Sequence, residues 1–187
     1  MAEKRGAESV EDISLHILDI AENSVRADAK NVEIIVSRDL NNDLLRVEVN
    51  DDGKGMDAGT LAMVRDPFFS TKHKKTGLGI PLFAQAAELT GGTLMIESVP
   101  GKGTRVSATF TWSHVDRPMI GSMADTVLSL IAGHPYLEYV YEERDNGRVF
   151  RIDTREIKDD LEGVPINSAE VLRAIRGMFA EQNLFRR

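Results

Sequence analysis

The chain has 187 residues, of which 42% are apolar, and it carries a formal net charge of −7 with no cysteine. This length suits one medium domain, or a domain with a small appendage. The absence of cysteine excludes disulfides, thiolate metal sites and cysteine nucleophiles, and the acidic charge disfavours a nucleic-acid partner, whose phosphates require a basic face.

The sequence also disfavours export and membrane attachment. No apolar run approaches the roughly 18 residues needed to cross a bilayer. The N-terminal stretch "MAEKRGAESVEDIS" lacks the apolar centre of a signal peptide. We therefore expect a cytoplasmic protein that contacts neither nucleic acid nor membranes.

The first part of the chain predicts two helices and two β-hairpins. Apolar residues recur at helical spacing from Ile13 onwards, and Pro81 stands in the first turn of the second helix, where its missing N–H does no harm. The strands are rich in Val, Ile and Leu and are separated by turn sequences. The predicted helices span 13–27 and 78–89, and the predicted strands span 31–38, 44–50, 94–98 and 104–112.

The character of the sequence changes after Trp112. The stretch "SHVDRPMIG" is typical of a linker. Beyond it we predict a helix over 123–131, two short strands around "YLEYVYEE" and "GRVFRID", and a closing helix over 168–182. The sequence therefore predicts a domain over residues 12–112 and a small C-terminal α-β-β-α extension over residues 113–187, whose role no motif indicates.

Two common phosphate-binding motifs are absent. A P-loop requires GxxxxGK[ST], and "VPGKGT" fails because Gly103 separates Lys102 from Thr104. The dinucleotide fingerprint GxGxxG fails because Leu82 stands where the third glycine belongs. The motifs of protein-kinase catalytic domains are absent as well.

Four other elements remain, in a fixed order along the chain. Asp19 and Asn23 are four residues apart on the first helix and share a face. Asp51 begins the motif D-x-G-x-G, the stretch 76–79 reads Thr-Gly-Leu-Gly at the start of a helix, and the stretch 101–104 reads Gly-x-Gly-Thr. Together these elements resemble the ATP-binding domain shared by gyrase, the large heat-shock chaperones, histidine kinases and mismatch-repair ATPases, which is the GHKL or Bergerat-fold family.

The resemblance covers roughly residues 12–112, and the pattern "DPFFSTK…TGLGI…GG…ES…PGKGT" is most similar to the catalytic domain of a bacterial histidine kinase. It implies an α+β fold: a two-layer α/β sandwich in which a mixed, mostly antiparallel sheet carries helices on one face. To this fold the chain would add its small C-terminal α/β extension. The resemblance also implies ATP or ADP as the ligand and Mg²⁺ as the metal.

A basic segment precedes the second helix. A helix N-terminus offers unpaired N–H groups and a partial positive charge, which bind anions, and the resemblance identifies the segment as an ATP lid whose lysines neutralise the triphosphate. A solvated lysine run, with the neighbouring phenylalanines packed in a core, is the alternative interpretation. The predicted nucleotide-binding residues here are Phe69, Lys72, Lys74, Lys75, Thr76, Gly77, Leu78 and Gly79.

The D-x-G-x-G motif predicts the adenine end of the site. Asp51 would accept the adenine amino proton, which is the polar contact that fixes base identity in an apolar pocket. Gly53 and Gly55 would let the chain turn tightly beneath the base, Met56 would line the pocket, and the resemblance places Thr104 near adenine. A plain surface turn and an ordinary strand start are the alternatives.

The first helix predicts the catalytic end. The Asn23 amide oxygen would join phosphate and water oxygens around Mg²⁺, unless it is a helix cap or a satisfied buried amide. Asp19 stands where hydrolysing members of the family place a glutamate general base, and Glu22 is a possible substitute. Asp19 is shorter than glutamate by about 1.5 Å, which weakens the activation of water; a ligand for a magnesium-bound water is its alternative role. His16 is interpreted as a packing residue rather than a phosphoacceptor.

These residues support two hypotheses. The first is a kinase-type catalytic domain that phosphorylates a partner protein, as histidine kinases and anti-sigma-type serine kinases do. Since few residues precede Ile13, we expect the acceptor to come from another protein. The second is a binding module in which ATP switches a protein interface and hydrolysis is slow or incidental. The sequence indicates neither the acceptor nor the oligomeric state.

Overall fold

The computed structural model describes residues 12–64 and 79–182, and in this part of the chain helices alternate with strands. The helices are α1 (Ile13–Arg26), α2 (Ala58–Met63), α3 (Gly79–Leu89), α4 (Met123–Gly133), α5 (Thr154–Asp160) and α6 (Ala169–Glu181). The strands are β1 (Asn31–Asp39), β2 (Leu44–Asp51), β3 (Leu94–Val99), β4 (Gly103–Thr111), β5 (Glu138–Asp145) and β6 (Arg148–Asp153).

The strands form one six-stranded sheet in the order β3-β4-β2-β1-β5-β6. β1 and β5 run parallel, and the other neighbouring strands pair antiparallel. The sheet is therefore mixed and mostly antiparallel, and the predicted α+β class is confirmed.

One face of the sheet is apolar and carries the helices. Val47 of β2 lies opposite Val36 of β1 and Ala108 of β4, and all three side chains are buried. Helix α1 packs on β1 and β2, whereas α3 packs on β3 and β4. On the opposite face the pattern is charged, as where Arg105 Nη2 lies 3.0 Å from Glu48 Oε2. Because successive residues of a strand point to opposite faces, this alternation produces the predicted two-layer arrangement.

The C-terminal extension continues the same sheet. β5 lies along the whole of β1, and the Glu138 N–H extends this pairing by donating to the Lys30 carbonyl at 2.9 Å. Buried apolar residues of both parts of the chain belong to one hydrophobic core. The boundary near residue 113 stays a prediction. Two of the short helices, α2 and α5, were not predicted from the sequence.

None of the helices within residues 12–64 and 79–182 is both long and apolar enough to cross a membrane.

The core beneath β5 contains an ionisable side chain. Glu143 is 4% exposed and accepts a hydrogen bond from the Tyr141 hydroxyl, and the Tyr141 ring packs at a tilt against the Phe179 ring of α6. Burial raises the pKa of Glu143 above its ordinary value of 4.5, although the hydrogen bond from Tyr141 acts in the opposite direction. The folded protein therefore holds this proton more tightly than the unfolded chain does.

Deprotonation of the buried Glu143 should lower the free energy of unfolding of the wild-type protein as the pH rises. We predict that Glu143→Gln, which has no proton to lose, does not show this decrease. The contribution of Glu143 to the free energy of unfolding should fall from about pH 4.5 upwards through its folded pKa, because the folded state binds this proton more tightly. The free energy of unfolding of the variant, minus that of the wild type, should therefore increase over this range and become constant above the folded pKa. Urea denaturation at several pH values measures this difference.

The control is Glu88→Gln, because Glu88 is exposed on α3 and should show no such trend. A difference for Glu143→Gln that stays constant across this pH range would contradict the prediction.

Candidate functional site

Helix α1 separates a buried face from an exposed one. Ile17, Ile20 and Ser24 are buried against the sheet and its neighbouring helices, whereas Asp19 and Asn23 are exposed. The two polar side chains are one helical turn apart. They thus share the face that the sequence predicts for them.

Asp51 joins this helix to the sheet. Its Oδ2 atom accepts a hydrogen bond from the Ser24 hydroxyl at 2.7 Å. Its Oδ1 atom accepts two more, from the Gly53 N–H at 2.9 Å and the Thr104 N–H at 3.2 Å. The carboxylate is therefore fixed in orientation by α1, by its own turn and by β4.

The turn after Asp51 packs tightly between α1 and the β3–β4 turn. A Cβ added to Gly53 would lie 2.7 Å from the carbonyl oxygen of Ala27, just past the end of α1. Gly55 has φ +64°, and a Cβ there would lie 2.1 Å from the carbonyl oxygen of Val99. Because any side chain would clash at this distance, and a positive φ favours glycine, Gly55 permits the close approach of the two turns.

Ser98 completes this corner. Its hydroxyl accepts from the Met56 N–H at 2.8 Å, donates to the Gly103 carbonyl at 3.0 Å, and lies 2.9 Å from the Thr104 hydroxyl. Thr104 itself pairs with Asp51 across β2 and β4. The residues predicted for the adenine end therefore lie together in one corner of the molecule.

The predicted catalytic end lies where α1 meets the first residue of α3. A Cβ added to Gly79 would lie 2.7 Å from Asp19 Oδ2. An acidic group at this end of a helix is stabilised by the partial positive charge of the helix N-terminus. The remaining predicted lid residues, Phe69, Lys72, Lys74, Lys75, Thr76, Gly77 and Leu78, lie outside the described residues.

Asn23 presents oxygen to the same exposed face. Its Oδ1 atom accepts one hydrogen bond, from Arg26 Nη1 at 2.9 Å. An amide oxygen has two lone pairs, so one stays available to a cation. Within residues 12–64 and 79–182, no group of three or more His, Cys, Asp or Glu side chains is placed to hold a metal ion. A metal bound by Asn23 would therefore need further oxygens from a bound nucleotide or from water.

The predicted packing of His16 is confirmed, and Glu22 has a specific partner. The His16 ring is buried and stacks on Phe83 of α3 at a centroid distance of 4.8 Å. Glu22 Oε1 lies 3.0 Å from Nε2 of His134, which follows α4 in the C-terminal extension. Glu22 thus contacts the extension rather than the turn that holds Asp51.

Sequence reasoning missed four residues of this region: Ser24, Arg26, Ser98 and His134. Ser24 lies on the buried, mostly apolar face of α1. A polar residue on such a face is the signal that could have marked it as functional. The other three give no local signal, since their partners lie on distant elements or on an exposed helix end.

We predict that Ser24→Ala lowers the affinity for ATP about three- to tenfold, because Asp51 loses a hydrogen bond worth about 1 kcal/mol that fixes its carboxylate. Titration calorimetry measures the dissociation constant, and circular dichroism verifies the fold. Ser129→Ala, at an exposed position of α4, is the matched control. Wild-type affinity in Ser24→Ala would contradict this role for the hydroxyl.

Comparison with solved structures shows a related fold. The N-terminal domain of a DNA repair protein superposes with a TM-score of 0.56 at 12% sequence identity, over 75% of this chain and 51% of that one. At this level of identity the likeness concerns the fold alone.

Comparison with characterised sequences is more specific. The sensor histidine kinase ZraS of Klebsiella oxytoca is 40% identical over 88 residues, which are 46% of this chain and 19% of that protein. The sensor protein kinase FleS of Pseudomonas aeruginosa is 39% identical over 88 residues, or 47% of this chain and 22% of that protein. The chain thus spans about a fifth of the length of these relatives.

A family model described as "Histidine kinase-, DNA gyrase B-, and HSP90-like ATPase" matches residues 9–114. The match spans more than half of the chain and includes Asp19, Asn23, Asp51 and Thr104. The chain therefore belongs to the family of histidine kinase-, DNA gyrase B- and HSP90-like ATPases.

Proposed function

We propose that this ATP-binding, histidine kinase-like domain transfers the γ-phosphoryl group of Mg-ATP to a side chain of a partner protein. One observation carries the proposal: α1 contributes to both ends of the predicted site. Its Ser24 hydroxyl holds the Asp51 carboxylate, and its Asp19 carboxylate lies beside Gly79 at the start of α3.

The Asp51 carboxylate suits the adenine amino group. Its two oxygens accept three hydrogen bonds from Ser24, Gly53 and Thr104. A carboxylate offers about four acceptor positions, so one remains for the amino proton. Because the protein donors already fix the carboxylate, little ordering is needed when the base binds.

The donor atoms near Asn23 suit Mg²⁺, which prefers oxygen ligands and keeps several of them from phosphate and water. Asn23 Oδ1 would be the protein ligand, and the exposed Asp19 carboxylate on the same helix face would hold a bound water. When bound, the metal would neutralise charge on the phosphate oxygens.

Asp19 is proposed to act on the attacking group. The nucleophilic oxygen or nitrogen of the acceptor attacks the γ-phosphorus, the bond to the β–γ bridging oxygen breaks, and ADP leaves with that electron pair. If the acceptor is a hydroxyl, its proton passes to the Asp19 carboxylate. A neutral imidazole attacks through a free lone pair and needs less help, which suits a base shortened by one methylene.

The names of the relatives support transfer to a protein. ZraS and FleS are described as sensor kinases, and a further relative, sporulation kinase C of Bacillus subtilis, is 34% identical over 87 residues. All of them match this chain over its ATP-binding part. The proposal leaves open whether the acceptor side chain is a histidine or a hydroxyl residue.

An alternative function is an ATP-dependent switch that changes a protein interface without transferring phosphate. It is favoured by the contact between Glu22 and His134, which connects the nucleotide-binding helix to the C-terminal extension. Through such a contact, nucleotide binding at α1 would reach the surface of the extension.

We predict that incubation with γ-labelled ATP and proteins encoded next to this chain labels one of those proteins. Asp19→Asn should lower the labelling of a hydroxyl acceptor about 100-fold or more, because the carboxylate that takes the proton is lost. ATP affinity should change less than about threefold. Gel autoradiography and calorimetry measure the two quantities.

Asp159→Asn, at an exposed position of α5, is the matched control and should label normally. No label on any protein, together with ATP turnover unaffected by Asp19→Asn, would exclude the transferase. Partner binding that requires ATP in the absence of label would instead favour the switch.

A further inference from the structure

The C-terminal extension contacts α1 at both of its ends. At the N-terminal end, the Ile13 N–H donates to the Met119 carbonyl at 2.9 Å and the Ser14 N–H donates to the Ile120 carbonyl at 2.8 Å. These N–H groups have no partner inside the helix, and Asp12 makes no side-chain cap. The linker backbone therefore takes the place of a cap.

At the other end of the helix the contact is made by side chains. His134 Nε2 lies 3.0 Å from Glu22 Oε1, and the Tyr136 hydroxyl lies 3.4 Å from His134 Nδ1. The His134 and Glu22 side chains are only 22% and 32% exposed. Both ring nitrogens of His134 thus have partners, which fixes the orientation of the ring.

Glu22 is also close to the buried Tyr139 of β5. The Tyr139 side chain is 2% exposed, and within the described residues its hydroxyl has no hydrogen-bond partner. Burial first, and then the charge of Glu22, raise the pKa of the Tyr139 phenol. Glu22 thus faces two residues of the extension, His134 by direct contact and Tyr139 through its charge.

We propose that His134 is a positioning residue for nucleotide binding, which holds Glu22 and thereby sets the rotation of α1. Glu22 immediately precedes Asn23 and lies three residues after Asp19, so one rigid helix carries all three side chains. A rotation of α1 by about 10° would move the tips of Asp19 and Asn23 by about 1 Å, given the radius of a helix with its side chains. A shift of this size takes a hydrogen bond or a metal–oxygen contact to the nucleotide well outside its normal distance range.

This inference uses only the ATP-binding part of the proposed function and leaves phosphoryl transfer aside. Glu22 is thereby assigned to the anchoring of α1 rather than to a contact with the nucleotide. The contact with His134 also gives the extension a role that the sequence did not indicate.

The test compares the dissociation constant of Mg-ATP in wild-type protein with those of His134→Ala, His134→Gln and His134→Asn. The amide nitrogen of Gln occupies about the position of Nε2, and that of Asn about the position of Nδ1. His134→Gln should therefore stay within about twofold of the wild type, whereas His134→Ala and His134→Asn should bind at least about threefold more weakly. Calorimetry is done at a temperature where circular dichroism shows the variants folded.

A double-mutant cycle with Glu22→Ala tests the coupling directly. The variant carrying both Glu22→Ala and His134→Ala should bind ATP no more weakly than the weaker single variant, because the two changes break the same contact. His114→Ala, which alters a ring that accepts from the Asp116 N–H within the linker, is the control and should bind normally.

Equal affinities of His134→Gln and His134→Asn for Mg-ATP would overturn the proposal. It would also be overturned if the loss of affinity in the double variant equalled the product of the two single losses, as for independent sites. The comparison of Gln with Asn decides the matter even if the alanine variants do not fold. A purely stabilising role would lower the melting temperature without changing the affinity of the folded protein. If the wild type itself did not bind ATP, the ATP site would be wrong, and the contact between Glu22 and His134 would be left without this function.

Discussion

The hydrogen bond from Ser24 to Asp51 is the constraint on which the site depends. It ties the end of α1 to the end of β2 at a distance of 2.7 Å, and the Thr104 N–H ties the same carboxylate to β4. A half-buried carboxylate needs such donors, since an unsatisfied one would cost several kcal/mol. One side chain, that of Asp51, therefore connects α1, β2 and β4, the three elements predicted to surround adenine.

The position of α1 on the sheet explains why this helix can present Asp19 and Asn23 in a fixed orientation. Its buried face packs on β1 and β2, in the middle of the six-stranded sheet, so its exposed face points away from the core. The start of α3 lies against that face at Asp19. One rigid helix thus presents Asp19 and Asn23 at one end of the site and supports Asp51 at the other.

The C-terminal extension adds contacts that hold α1 and its neighbour β1. β5 adds a parallel neighbour to β1, the linker carbonyls accept from the first N–H groups of α1, and His134 contacts Glu22. Parallel pairing needs a long connection, which the linker and α4 supply. The extension is consequently in contact with the elements that position the site.

Local patterns in the sequence predicted much of this arrangement. Apolar spacing predicted α1, and the turn sequences predicted the two hairpins of residues 12–112, because periodicity reports which face is buried. The short helix α2, which has no buried residue, gave no such signal. The ordered motifs identified Asp51 and Thr104, which prove to be paired across two strands. The family likeness supplied the mixed, mostly antiparallel sheet with helices on one face, which periodicity alone does not contain.

The misses have physical causes. The pairing of β1 with β5 joins segments far apart in the chain, and no local pattern encodes it. Helix α5 is short and polar and begins directly after β6, where Asp153 accepts from the Arg155 N–H, so periodicity has too few residues to detect it. The role of Ser24 was not predicted because its partner, Asp51, lies 27 residues away and is brought to it only by the fold.

The central claim is that the fixed Asp51 carboxylate reads the amino group of adenine. It is tested most directly by titrating the wild-type protein with ATP and with GTP in the presence of Mg²⁺. Guanine presents a carbonyl oxygen where adenine presents an amino group, so an acceptor would face an acceptor. We expect ATP to bind at least about tenfold more tightly than GTP; equal affinity for the two nucleotides would contradict the account.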